Sequence, residues 1–303
     1  MKDFYEQDCH LSPEIIRRNN SKLTELFSLY LNLMPNAIDK TMIEDLSSTC
    51  DISHAEAFAQ YLAAMAGLET ERRDRDFFRH WLLPSLAQLD TAPYVADPYF
   101  KNIKIPTVKQ GKWELKTEVL RPFEAFVYND FVVTKDRRMI PQIGFFEEEY
   151  AFPAVLENGC EWMTLQPNEM TTTEPAIKAA KGRVLTFGLG LGYFAYHAAE
   201  KEDVTSVTVV DISQDAIDLF KAHILPQIKH KEKITLICED AFSFADKGLS
   251  GRFDFVFADI WHDAGDGKEL YLKMKEYEQK NKDVAFTYWL EDTIKCYLDT
   301  TLW

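Results

Sequence analysis

The sequence predicts an α/β fold: a mostly parallel sheet with helices on both faces, preceded by a helical region and a small antiparallel β region. Three observations carry this. From about residue 171, apolar runs without polar alternation follow one another with helical stretches between them, the pattern of parallel strands covered on both faces. The first 90 or so residues show apolar side chains at helical spacing instead. Between the two, Pro93, Pro98, Pro106, Pro122, Pro141, Pro153 and Pro167 break the chain into short runs. The 303 residues exceed one typical domain, and the divisions expected are 1–92 (helical), 93–170 (β-rich) and 171–303 (the parallel sheet).

In the helical region, Ser12 followed by Pro13 reads as an N-cap with proline at the first helical position. Ile15, Ile16, Leu23, Leu26, Phe27, Tyr30 and Leu31 then recur on one face. Ser53 and Glu56 make a capping box for a helix through Phe58, Tyr61 and Leu62 that can stop at Gly67. A further helix through Arg73, Phe77, Trp81 and Leu82 should kink or end at Pro84. This region is read as packing or as a homodimer surface. In the middle region NIKI (102–105), KWELKTEV (112–119), AFVYNDFVVT (125–134) and AVLENGCEWMTL (154–165) are strand-like, with turns at Gly111 and Gly159. In the last region the strands are RVLTF (183–187), SVTVVD (206–211), ITLIC (234–238), FDFVFAD (253–259) and VAFTYW (284–289). YLKMKEYEQ and LEDTIKCYLDTTLW read as helices around the last of these.

Composition excludes several classes. An apolar fraction of 46% and an aromatic fraction of 13% exclude disorder. With 34 basic against 49 acidic side chains the formal charge is −15, which disfavours nucleic acid and suits a cationic or neutral small molecule. Cys9, Cys50, Cys160, Cys238 and Cys296 are scattered, without a CxxC pair, and read as reduced thiols in a cytoplasmic protein. Neither a signal peptide nor a membrane span is expected.

The chemistry concentrates at the ends of the strands. Gly188, Gly190 and Gly192 follow the first one and open a helix whose N–H groups are free for a ligand. Read from Gly190, GLGYFA also fits the dinucleotide pattern GxGxxA, so the loop alone leaves a nicotinamide or flavin site open. Asp211 closes the second strand, 19 residues past Gly192, where a carboxylate can take two ribose hydroxyls; it could also cap the helix beginning at Ser213. Asp240 closes the third strand, where an acid can accept from an adenine amino group. Tyr193, Phe194 and His197 are expected in the core.

VLTFGLGLG, VTVVDIS, ICEDAF and FDFVFADIW, in this order and spacing, resemble the first four strand motifs of class I S-adenosylmethionine-dependent methyltransferases, a Rossmann-like fold. The resemblance covers about residues 180–262 and implies S-adenosyl-L-methionine as cofactor. Gly188, Gly190 and Gly192 would cradle its methionine end, Asp211 and Ile212 its ribose side, and Asp240 with Ala241 its adenine. Thr186 stands where many members carry an acid. The preceding segment (Gly159, then Trp162-Met163-Thr164, Asn168-Glu169 and Glu174) is similar to the spermidine synthase pattern, with Glu169 and Glu174 as acceptor-binding acids. That family's tyrosine and histidine are replaced by Thr172 and Thr173, and its DSSDP by Asp259-Ile260-Trp261-His262-Asp263.

The loop after the fourth strand lies where parallel sheets place ligands. Asp259 and His262 are the candidate general bases or amine clamps there, and Trp261 a candidate acceptor contact. A divalent metal on Asp259, His262, Asp263 and Asp266 is disfavoured, because the ligands crowd one flexible loop. Asp263 and Asp266 read more simply as turn residues with Gly265 and Gly267. Only 44 residues remain after Asp259, too few for the full methyltransferase sheet, so a shortened sheet or completion by earlier strands is expected. The function expected is S-adenosylmethionine-dependent methyl transfer to a small, amine-bearing acceptor. The alternatives are an aminopropyltransferase-like enzyme and a non-catalytic nucleoside-binding scaffold.

Overall fold

A computed structural model describes residues 11–303. Cys9 and the rest of the first ten residues lie outside the described part. The chain forms two compact units, each from separate segments. The first combines residues through Thr91 with Val119–Tyr150 and Lys295–Trp303; the second combines Ala92–Glu118 with Ala151–Ile294. The β-rich stretch 93–170 thus contributes to both.

In the first unit, helix α1 (Pro13–Leu33) begins where Ser12 accepts from the Ile15 N–H, and it buries Ile16, Leu23, Phe27 and Tyr30. Helices α2 (Lys40–Cys50) and α3 (His54–Met65) are capped by Asp39 and Ser53. Helix α3 closes with Leu68 N–H on the Ala63 carbonyl across Gly67, which takes a φ of 65°. Helix α4 (Arg75–Phe77) widens into a π turn at Phe78–Leu82, then tightens into a 3-10 turn containing Pro84. Three strands follow in the order β1–β5–β4: β1 (Leu86–Leu89), β4 (Phe126–Val133) and β5 (Met139–Phe146). Buried Asn20 joins the unit: its Oδ1 accepts from Trp81 Nε1 and Met139 N, both at 2.9 Å, and its Nδ2 donates to the Leu302 carbonyl at 2.8 Å.

Two expectations fail here. The first 92 residues are not helical throughout, because β1 lies among them and runs parallel to β5. Pro141 also does not exclude a strand: β5 contains it and is buried throughout. The β4–β5 ladder is irregular between Val127 and Val132, and β1 pairs only from Ile143 onward, so no ladder bond requires an N–H at Pro141.

The second unit opens with α5 (Ala92–Val95) and α6 (Pro98–Asn102), the latter capped by Asp97. NIKI is therefore no strand; it begins on the last residue of α6. A four-stranded sheet has the order β2–β3–β6–β7: β2 (Val108–Gln110), β3 (Trp113–Leu120), β6 (Tyr150–Glu157) and β7 (Cys160–Thr164). Helix α7 (Pro167–Ala179) leads from it to a five-stranded, wholly parallel sheet. Its order is β10–β9–β8–β11–β12: β8 (Gly182–Phe187), β9 (Val204–Asp211), β10 (Ile234–Cys238), β11 (Phe255–Ala258) and β12 (Ala285–Tyr288). The intervening helices are α8 (Tyr193–Glu200), α9 (Gln214–His223), α10 (Ala241–Ala245) and α11 (Gly267–Lys280); α12 (Glu291–Leu298) follows β12. The sheet is the shortened one, with β12 at its edge. The strand order reverses between β8 and β11, so the crevice at their carboxyl ends is where such a sheet takes a ligand.

Candidate active site

The loop from Gly188 to Gly192 leaves β8 with all three glycines at positive φ, and each faces a different obstacle. A Cβ on Gly188 would stand 1.8 Å from the Asp259 carbonyl oxygen, one on Gly190 2.1 Å from Met163 Sδ, and one on Gly192 2.2 Å from the Phe220 ring. The loop is therefore pressed against the exit of β11 (the fourth strand of the parallel stretch, hence the strand-four exit), the β6–β7 hairpin and α9 at once. Tyr99, fully buried, fixes it from a fourth side by donating to the Leu191 carbonyl at 2.6 Å.

Asp211 sits at the end of β9 and holds the loop rather than standing free. Its Oδ2 accepts from Leu189 N at 3.0 Å and its Oδ1 from Ser213 N at 2.8 Å. Burial raises its pKa against these two bonds. Each carboxylate oxygen keeps a second lone pair, so both can still accept from a ligand hydroxyl. Next to it Ile212 is 75% exposed, a bare apolar side chain beside an acid. Asp240 is the N-cap of α10, accepting from Ser243 N at 2.8 Å, and Ala241 behind it is buried.

Two acids meet at the strand-four exit. Asp259 N–H donates to the Phe187 carbonyl at 2.9 Å, tying the residue to the end of β8. Glu169, in the first turn of α7, is only 6% exposed and accepts from Thr173 Oγ1 at 3.3 Å. Burial, and then the charge of Asp259, raises Glu169 well above the usual carboxylate range. Burial, and then the charge of Asp211, pushes Asp259 up to about 7. Asp259 thus titrates near neutrality beside a Glu169 carboxyl whose charged form is disfavoured by burial and by the neighbouring acid.

The other expected acceptor residues are placed differently. Glu174 lies five residues beyond Glu169, which on a helix turns it well away from that face; it is exposed and pairs with Lys178 at 2.8 Å. Thr172 is used internally, accepting from Trp289 Nε1 at 2.9 Å and donating to the Asn168 carbonyl at 2.7 Å. Trp261 is 4% exposed, packed on Gly267 and edge-on to Tyr271. Among the described residues its Nε1 finds no acceptor, and neither does Asn168 Oδ1, beside Glu169, find a donor.

His262 is exposed, with its Nε2 2.9 Å from the Glu161 carbonyl oxygen of β7. A carbonyl only accepts, so Nε2 carries a proton, and Nδ1 lies 4.0 Å from Asp263. With the Trp162 ring 6.2 Å away, His262 fastens the strand-four loop to the hairpin. Asp263 and Asp266 cap one another's backbone, Asp263 Oδ1 accepting from Gly265 N at 2.6 Å and Asp266 Oδ1 from Asp263 N at 3.0 Å. Among the described residues no group of three or more His, Cys, Asp or Glu side chains is placed to hold a metal ion.

Sequence reasoning missed Met163, Tyr99 and Asp97 as loop supports. Asp97 accepts from Tyr193 Oη and faces His197 Nε2, both at 3.1 Å, so these two residues of α8 are buried or half-buried with a polar anchor. The only local signal was Asp97-Pro98, a cap followed by proline at a helix start.

Residues 169–285 match the family model described as spermine/spermidine synthase domain. No curated protein matches the chain. Among solved structures, a conserved hypothetical protein of Streptococcus pyogenes is similar at 24% identity over 35% of this chain and 62% of that one, with a TM-score of 0.29. A Klebsiella pneumoniae protein described as a candidate O-methyltransferase is similar at 20% identity over 30% of this chain and 40% of that one, with a TM-score of 0.25. The chain thus spans less than two thirds of either structure's length. Among the described residues no helix is long and apolar enough to cross a membrane. Over residues 169–285 the chain is thus similar to the spermine/spermidine synthase domain, and the sheet in this part is five-stranded and wholly parallel, with helices between its strands.

Proposed function

We propose that the chain binds an S-adenosyl sulfonium nucleoside at the carboxyl ends of β8, β9 and β10 and transfers its methyl group to a small, amine-bearing acceptor. The observation that carries this reading is the meeting of buried Glu169 with half-buried Asp259, set at the strand-four exit against the glycine loop. The residues present suit such a nucleoside. Asp211 keeps lone pairs for two ribose hydroxyls, Ile212 offers an uncovered apolar side to a flat base, and Asp240 stands at the third strand's end to accept from an amino group. Bound there, the nucleoside supplies an electrophilic carbon next to a cationic sulfur. The protein's part is to bring a neutral nucleophile in line with that carbon. Asp259, poised near neutrality, accepts the proton that an amine must lose, beside Glu169, whose carboxyl burial holds well above the usual range.

A second reading, aminopropyl transfer from the decarboxylated nucleoside, is favoured by the family-model match over residues 169–285. Against it, Thr172 and Thr173 occupy the positions of the polyamine-site tyrosine and histidine, and both hydroxyls are engaged inside the protein. Calorimetry with S-adenosylhomocysteine tests the nucleoside site. Binding should weaken about tenfold or more in Asp211→Ala, since charge-assisted hydrogen bonds contribute about 1.5–3 kcal/mol each. Tight NAD binding in its place would sink the proposal. An assay supplying 1,4-diaminobutane with decarboxylated S-adenosylmethionine separates the two readings: slow or absent spermidine formation is expected, and rapid formation would replace methyl by aminopropyl transfer. Nucleoside binding with no turnover against any amine would leave the scaffold alternative.

A further inference from the structure

The glycine loop has five backbone N–H groups, and four are already taken. Gly188 N donates to the Val210 carbonyl at 2.9 Å, and Gly192 N to the Leu189 carbonyl at 2.7 Å. Leu189 N donates to Asp211 Oδ2 at 3.0 Å, and Leu191 N to the thioether of Met163 at 3.0 Å. Among the described residues only the Gly190 N–H has no acceptor, and the Met163 side chain lies directly over that residue's Cα. The side chains seen against the loop are Tyr99, Met163, Thr186, Asp211, Phe220 and Asp259, none of them cationic. An anionic group entering this loop therefore meets one free donor, and the side chains against the loop offer it carboxylates and no cation.

Met163 is the removable part of this arrangement. The bonds of Gly188 and Gly192 belong to the turn itself, and Asp211 is held at two points. The thioether is a weak acceptor on a flexible, half-buried side chain, projecting from β7 where Met163 pairs with Val155. We propose that Met163 decides which donor tail the glycine loop accepts, by competing with a ligand carboxylate for the Leu191 N–H. A nucleoside that carries an amino-acid carboxylate must displace the thioether or forgo the donor. One whose tail ends in an amine alone loses nothing. The inference rests on the nucleoside site proposed above and holds for either transfer reaction.

Calorimetry of the full chain tests it with three probes: S-adenosylhomocysteine, its decarboxylated counterpart 5′-deoxy-5′-(3-aminopropylthio)adenosine, and tail-free 5′-methylthioadenosine. Met163→Leu keeps an apolar side chain but removes the acceptor. It should raise affinity for S-adenosylhomocysteine about threefold to tenfold relative to the decarboxylated probe, the span expected when a weak acceptor stops competing for a charge-assisted bond. Binding of 5′-methylthioadenosine should stay within about twofold, because its contacts lie at Asp211, Ile212 and Asp240. Met163→Ala, which also uncovers Gly190, should shift the ratio the same way. An unchanged ratio in both variants, with 5′-methylthioadenosine still bound, overturns the role of Met163 and leaves the nucleoside site standing. Failure of the unmodified chain to bind 5′-methylthioadenosine overturns both.

Discussion

Replacing Asp259 by asparagine is expected to lower turnover about 10²–10⁴-fold while nucleoside binding stays nearly unchanged, the size of effect that a positioned general base supplies. Asparagine keeps the shape and removes the proton-accepting oxygen. The pH profile makes the assignment specific. Burial and the charge of Asp211 push Asp259 up to about 7, so a reaction using it as a base should gain rate as pH rises to about 7 and then level off. The asparagine variant should lose that limb. The same shift acts on stability with a definite sign. Asp259 goes from 3.8 when unfolded to about 7 when folded, so the native state holds the proton more tightly. The contribution is complete below the unfolded value and is lost as pH rises through about 7; Glu169, also raised, acts in the same direction. Thermal midpoints should therefore fall between pH 5 and pH 8 in the unmodified chain and fall less in Asp259→Asn. Full turnover in the variant, once an acceptor is in hand, would remove Asp259 from the mechanism.

The parallel sheet could be read from the sequence because its physics is local. A strand buried on both faces must be an apolar run, and RVLTF, SVTVVD, ITLIC and FDFVFAD stand out for that reason. The residues at the carboxyl ends of the strands were legible too, since Gly188, Asp211, Asp240 and Asp259 each stand at the end of such a run or within two residues of it. What was lost depends on partners far along the chain. Strand β5 was hidden because Pro141 argues against a strand until the irregular ladder on one side and the late start of β1 on the other are known. Helix α7 begins at Pro167, and its phase buries Glu169 while turning Glu174 toward Lys178. Read as a simple pair of acids five residues apart, the two looked equivalent. Met163 carried no signal at all: a methionine on a hairpin strand is ordinary, and only the fold sets its thioether on Leu191.

Gly188→Ala is expected to be the most damaging single methyl group that can be added to the second unit. At Gly188 the backbone takes a φ of 96°, which a side chain rarely tolerates, and the new Cβ would fall 1.8 Å from the carbonyl oxygen of Asp259. The obstacle is backbone, and that backbone is held: Asp259 N–H is bonded to the Phe187 carbonyl, and Gly188 N–H to the Val210 carbonyl. Neither side can yield without breaking the junction of β8, β9 and β11. Backbone strain and overpacking together should cost about 3 kcal/mol or more. Nucleoside affinity should fall with it, since moving the loop also releases Leu189 from Asp211. Gly248→Ala is the control. Its φ of 82° is as unusual, but no atom lies within 4 Å of the added methyl, so it should cost only about 1 kcal/mol of conformational strain and leave nucleoside binding alone. Chemical denaturation of both variants, with calorimetry on whatever stays folded, measures the difference. If the two glycines prove equally tolerant, Gly188 is merely a turn residue, and the close seating of the glycine loop on the strand-four exit does not constrain the site.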